Sequence, residues 1–283
     1  MNFLFSAILV LGAIALVAAV ILYACSKKFA VHEDPRLPLV NELLPGANCG
    51  GCGFAGCSGM ADALVKGADK GSIEGLNCPV GGADVMKNVA DALGMTAAEG
   101  KPKVAVVRCS GSCEIRPRTA IYDGLPTCAA QHATCAGETA CGYGCLGCGD
   151  CTNVCLFDAI KTNSDTMLPE VDEEKCTACG ACVKACPRNI IELRPKGPKN
   201  RRVFVGCVSR DKGAAATRAC KAACIGCGKC TKECKFEAIT VSQNVAYIDA
   251  EKCRLCRKCA DVCPTNVIHT VNFPPRKIKE EEA

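Results

Sequence analysis

The chain has 283 residues, a formal net charge of +5, 28 cysteines, no tryptophan and only 4% aromatic residues. So few aromatics exclude one large aromatic-rich core, and scattered basic residues without interleaved aromatics make a nucleic-acid footprint the weaker reading. Cysteine at this density indicates either a disulfide scaffold or a metal protein.

Phe3–Ala24 is an unbroken run without charge, followed by Lys27 and Lys28. It is long enough to cross a bilayer as a helix, and no basic residue precedes it as in a signal peptide. The positive-inside rule then places the C-terminal bulk in the cytoplasm, a single-pass protein of the cell (inner) membrane. Leu22-Tyr23-Ala24-Cys25 loosely matches a lipoprotein cleavage site, but the bulky Tyr23 opposes that, and Cys25 reads as an inert interfacial thiol.

The rest divides by its cysteines into residues 27–100, 101–141, 142–195 and 196–283, after a membrane helix at 1–26. A polar tether (27–45) leads to Cys49, Cys52, Cys57 and Cys78, spaced C-x2-C-x4-C-x20-C with Pro79 following. Ser58–Val65 and Ala83–Leu93 read as helices of a small α-rich module. Its four thiols suit either a [4Fe–4S] cluster or structural zinc, and the Gly-rich Cys49–Cys57 loop beside the later motifs favours the cluster. Residues 101–141 are a connecting segment with a Val-rich strand at Val104–Val107.

An internal repeat follows. Cys145, Cys148, Cys151 and Cys155, then Cys176, Cys179, Cys182 and Cys186, recur as Cys224, Cys227, Cys230 and Cys234, then Cys253, Cys256, Cys259 and Cys263. Each run is C-x2-C-x2-C-x3-C, the spacing of two-cluster ferredoxins, in which the fourth cysteine reaches across to the other cluster. The expected sets are Cys145, Cys148, Cys151 with Cys186; Cys176, Cys179, Cys182 with Cys155; Cys224, Cys227, Cys230 with Cys263; and Cys253, Cys256, Cys259 with Cys234. Gly147, Gly149, Gly180, Gly226 and Gly228 let the backbone bend around each cluster. Short β stretches are expected at Ala159–Lys161, Glu170–Asp172, Ala238–Val241 and Ala246–Asp249. Arg194–Arg202 reads as a basic linker able to flex, and Lys277–Ala283 as a disordered tail.

Five [4Fe–4S] clusters are thus expected. Each core with four thiolates carries about −2, so the loaded protein falls to about −5. Cys109, Cys113, Cys128 and Cys141 are candidate ligands of a sixth, while Cys135, Cys207 and Cys220 have no assigned role. Two G-x-G-x-x-G matches (Gly51–Gly56, Gly142–Gly147) lie inside cysteine loops and lack the βαβ setting of a dinucleotide site. His32, His132 and His269 read as surface or packing residues, and no catalytic residue is identified.

The membrane span, the Asn48–Cys57 loop with Cys78-Pro79, and the Cys145–Cys186 unit together resemble the B subunit of the Rnf complex. The second unit, Cys224–Cys263, resembles the longer form of that protein. The resemblance implies an α+β protein: one transmembrane helix, a small [4Fe–4S] module and two ferredoxin-like two-cluster units. It implies a redox subunit of an ion-translocating ferredoxin:NAD+ oxidoreductase, taking electrons from soluble ferredoxin and relaying them to other membrane and peripheral subunits, with flavin and nicotinamide chemistry elsewhere. A membrane-tethered polyferredoxin serving a hydrogenase or another reductase is the alternative.

Overall fold

The computed structural model describes residues 2–28, 34–96 and 101–275. The tail Lys277–Ala283 and His32 lie outside the described residues. Helix α1 (Asn2–Lys28) is 27 residues long. At about 1.5 Å per residue it reaches some 40 Å, more than a bilayer's hydrocarbon core of about 30 Å. Its segment Leu9–Lys28 is predominantly apolar, and no other described residue covers it. Lys27 and Lys28 close its last turn, where cations offset the helix dipole.

The N-terminal module packs α2 (Arg36–Leu43), α3 (Cys57–Asp69) and α4 (Gly82–Ala92) around Val40, Leu44, Met60, Leu64, Ile73, Met86 and Val89. Met60, Ala61, Leu64 and Val65 recur at helical spacing on α3, as do Met86, Val89 and Ala90 on α4, so each helix buries one stripe. The tether is partly folded: Val40 and Leu44 are buried, and Arg36 bonds both Asp34 and Asp69 (2.5 and 2.7 Å).

Both ferredoxin-like units have one topology. The first runs β1 (Lys103–Val107), α5 (Cys128–Thr134), α6 (Asp150–Asn153), β2 (Ile160–Thr162), β3 (Pro169–Val171), α7 (Ala181–Ala185) and β4 (Ile191–Pro195). The second runs β5 (Arg202–Val205), α8 (Gly213–Ala219), α9 (Lys229–Glu233), β6 (Ile239–Ser242), β7 (Val245–Ile248), α10 (Lys258–Asp261) and β8 (Ile268–Val271). In each, the outer strands pair antiparallel (β1 with β4, β5 with β8) and the inner strands form a hairpin (β2 with β3, β6 with β7).

Two segments differ from the sequence reading. The connecting segment 101–141 supplies β1, which pairs from Lys103↔Pro195 to Val107↔Ile191. The unit therefore closes on a strand that precedes its cysteine runs. The basic linker is anchored at both ends. Arg194 and Arg202 are only 3% and 4% exposed and bond Glu192 and Glu173. Each guanidinium meets its carboxylate through one nitrogen and donates through another to a backbone carbonyl, Arg194 to Val203 and Arg202 to Asn200. The Arg108 and Arg194 guanidiniums also lie over the Tyr247 ring, at 4.9 and 5.1 Å, joining the first unit to the second.

Candidate metal centres

The cysteine loops are shaped before any metal is considered. In all four ferredoxin runs, the residue before the second cysteine has a left-handed backbone: Gly147, Ala178, Gly226 and Leu255, φ 81°, 57°, 64° and 57°. The residue that opens the short helix after the second cysteine does the same: Gly149, Gly180, Gly228 and Arg257. These two reversals wrap three cysteines around one centre. In the N-terminal module Asn48 does the equivalent work. Its Oδ1 accepts from the Cys57 N–H at 2.8 Å, capping α3 from outside and closing the loop.

Four cavities result. Cys49, Cys52, Cys57 and Cys78 line one of about 310 Å³. Cys155, Cys176, Cys179 and Cys182 line one of about 350 Å³, and Cys224, Cys227, Cys230 and Cys263 another of about 350 Å³. Cys145, Cys151 and Cys186 line one of about 400 Å³, together with Cys128. The fourth cysteine of a run thus lies with cysteines of the other run, with all three for Cys155 and Cys263 and with Cys145 and Cys151 for Cys186. Around Cys259, burial first and then the neighbouring Cys253, Cys256, Cys230 and Cys234 push the thiol up to about 12, so the cysteines of the fifth expected set lie near one another and beside Cys230.

Cys148 departs from the expected set. Its thiol donates to Gln131 Oε1 at 3.1 Å and neighbours Cys128, while Cys128 itself lines the first unit's first cavity with Cys145, Cys151 and Cys186. Asp150 holds Cys128 there by accepting from its N–H at 2.9 Å. The sequence-derived sixth set does not assemble. Cys113 is exposed and donates to the Asp165 carbonyl (2.9 Å), and Cys128 belongs to the cavity just described. Cys141 is instead buried in one cluster with Cys220, and Cys109 lies near enough to act on Cys220, a grouping that spans both units.

The donor sets fit [4Fe–4S] clusters. Burial is the first cause that raises Cys145, Cys148 and Cys182 to about 12, with neighbouring thiols adding to it. Such thiols ionise together only against a strong local positive charge, which iron supplies. Backbone N–H groups already point at sulfur: Gly81 to Cys78 (3.4 Å), Ala159 to Cys155 (3.3 Å) and Ala246 to Cys224 (3.5 Å). Among the described residues, no three His, Cys, Asp or Glu side chains close on a single-ion position.

Family models agree with this geometry. Residues 44–72 match a putative Fe–S cluster domain, and residues 144–191 and 223–267 each match a 4Fe–4S dicluster domain. Among similar proteins, the B subunit of the Na+-translocating ferredoxin:NAD+ oxidoreductase complex of Acetobacterium woodii is 46% identical over 92% of this chain and 75% of its own length. The B subunit of the ion-translocating oxidoreductase complex of Methanosarcina acetivorans is 39% identical over 94% of this chain and 97% of its own. The chain belongs to the family of Rnf B subunits. A third member, the B subunit of the proton-translocating ferredoxin:NAD+ oxidoreductase complex of Clostridium ljungdahlii, is 39% identical over 96% of this chain and 94% of its own. As an Rnf B protein, the chain is a [4Fe–4S] electron-transport subunit of a multi-subunit, membrane-associated oxidoreductase complex.

Proposed function

We propose that this Rnf B chain accepts electrons from reduced soluble ferredoxin at the cytoplasmic face and carries them through five [4Fe–4S] sites toward membrane-embedded partners of an ion-translocating ferredoxin:NAD+ oxidoreductase. The proposed ligands are Cys49, Cys52, Cys57 and Cys78, then the four crossed sets of the two ferredoxin-like units. When bound, each cluster supplies a one-electron carrier.

The protein's own part is to bind, order and shield. The observation that carries the reading is the serial arrangement of the thiol sets. The Gly51 backbone of the N-terminal loop lies against Cys179, and Lys184 donates to the Gly50 carbonyl at 3.4 Å. Cys182 faces Cys151, and Cys259 faces Cys230, so the two sets within each unit adjoin. Helix α1 tethers this series to the bilayer, and Lys27 and Lys28 favour a cytoplasmic orientation for everything after it. Between Asn2 and Ser26 α1 carries no charged residue, so ion translocation is assigned to partner subunits.

Inverted membrane vesicles test this. Added reduced ferredoxin is expected to reduce NAD+ in inverted but not right-side-out vesicles, with flavin-bearing subunits co-purifying. Equal rates in both orientations would refute the sidedness, and co-purification with a nickel or molybdenum protein in place of flavin subunits would refute the assignment. Iron far below about 20 per chain would refute the five sites.

A further inference from the structure

Four cysteines outside those five sets lie near the joint between the two units: Cys141, Cys207 and Cys220 share one buried cluster, and Cys109 acts on both Cys207 and Cys220. Cys109 lies two residues beyond β1 and Cys207 two residues beyond β5, at equivalent places in the repeat. Their loops run side by side: Ser110 N–H donates to the Gly206 carbonyl at 2.9 Å, and the Arg108 guanidinium reaches the Val205 and Cys207 carbonyls (3.3 and 3.4 Å). A Cβ at position 206 would fall 2.2 Å from Ser110 Oγ and 2.3 Å from His269 Nε2, so any larger residue there must displace that bonded pair. On the other side, Lys221 N–H donates to the Ile115 carbonyl at 3.2 Å, drawing Cys220 against the loop that follows Cys109. Cys141 precedes Cys145 just as Cys220 precedes Cys224. Each unit thus contributes one cysteine after its first strand and one before its first run.

The surroundings suit a buried anion. Cys141, Cys207 and Cys220 are 7%, 9% and 6% exposed, and all four thiols are free. Arg116, only 3% exposed, is among the groups acting on Cys220 together with Cys109 and Cys141. Its Nη1 donates to the Cys145 carbonyl at 2.7 Å, but its buried Nε has no hydrogen-bond partner. A guanidinium so buried needs a counter-charge. Four thiolates on an iron–sulfur core provide about −2.

We propose that Cys109, Cys141, Cys207 and Cys220 ligate a sixth [4Fe–4S] cluster at this joint, with Arg116 as its buried cationic partner. The Cys145 N–H donates to Cys109 Sγ at 3.4 Å, and Cys207 faces Cys224. The site therefore stands between the first set of each unit. When occupied it supplies a one-electron link: one neighbour is oxidised as the joint is reduced, then the joint is oxidised as the other neighbour is reduced, with no bond made or broken. Of the proposed function, the site presupposes only the nature of the cofactor.

Native mass spectrometry of the anaerobically purified full chain in detergent counts iron and sulfide directly. The expected content is six clusters, about 24 irons. Cys207→Ala and Cys220→Ala should each shed about four irons, the double variant no more, and Cys113→Ala none. Five clusters in the unaltered chain, no iron lost from Cys207→Ala, or one zinc in place of four irons would each overturn the proposal. If Cys207→Ala sheds more than one cluster through misfolding, the count on the unaltered chain decides: six upholds the site and five removes it. Failure of the proposed function reads out separately, as a Cys49→Ala variant that keeps its full iron.

Discussion

Gly51 lies against the backbone of Cys179: a Cβ at position 51 would fall 2.6 Å from the Cys179 carbonyl oxygen and 2.9 Å from its Cα. A loop of the N-terminal module thereby touches a ligand loop of the first ferredoxin-like unit with no side chain between them. Both contacted atoms are backbone, so neither can swing aside.

Gly51→Val should therefore push the module off that unit at an overpacking cost of about 1–3 kcal/mol. Iron content should stay at the wild-type value while ferredoxin-driven electron flow into the second unit falls. An iron assay paired with stopped-flow reduction checks this. Unchanged flow would show that the contact is not part of the route.

Crossed ligation gives a second prediction. Cys155 lies in the cavity of Cys176, Cys179 and Cys182, away from its own run. Cys155→Ala should weaken the cluster of the second run and spare that of Cys145, Cys151 and Cys186. The loss should approach about four irons per chain. EPR of the variant, compared with Cys176→Ala, reads which signal is lost, and the two variants should lose the same one.

Tyr247 gives a third. It receives the Arg108 and Arg194 guanidiniums at 4.9 and 5.1 Å, and Arg108 also bonds Glu192 at 3.4 Å. Cation–π contacts are worth about 0.5–2 kcal/mol each. Tyr247→Ala should loosen the joint by about that much and expose the Lys196–Arg201 connection. Limited trypsin digestion should then cut there several-fold faster, with the iron content initially unchanged.

His269 carries a pH dependence. Its Nε2 lies 2.6 Å from Ser110 Oγ, its ring stacks on Phe204 at 5.2 Å, and burial lowers its pKa below 6.5. The unfolded chain takes up this proton more readily than the folded one. The stabilisation is therefore complete above about pH 6.5 and is lost as the pH falls toward the lower folded value. His269→Gln should flatten that loss, read as the midpoint of anaerobic denaturation between about pH 5 and 7.5. An unchanged slope would move the pH sensitivity to another group.

Much of the candidate site was legible because it is local. In C-x2-C-x2-C three thiols are carried on one loop, and two left-handed residues turn them toward one centre wherever the loop lies. The short strands also stood near their expected places, Val104–Val107 within β1 and Ala246–Asp249 across β7. Cys128 was harder to place, because the Asp150 carboxylate that holds it beside Cys148 lies across the unit and leaves no mark in the spacing.

By itself, then, the sequence determined the apolar N-terminal helix, the cysteine runs with their two-cluster spacing, and the family. These follow from apolar length and from cysteine spacing, both readable along a short stretch of chain. Tertiary structure alone decided that 101–141 closes the first unit through β1, that Arg194 and Arg202 are buried, and that Cys141 shares one buried cluster with Cys207 and Cys220. Those outcomes depend on strands pairing across most of a unit and on two units packing through Tyr247. The energy that selects them comes from contacts between residues far apart in the chain, which no local spacing encodes.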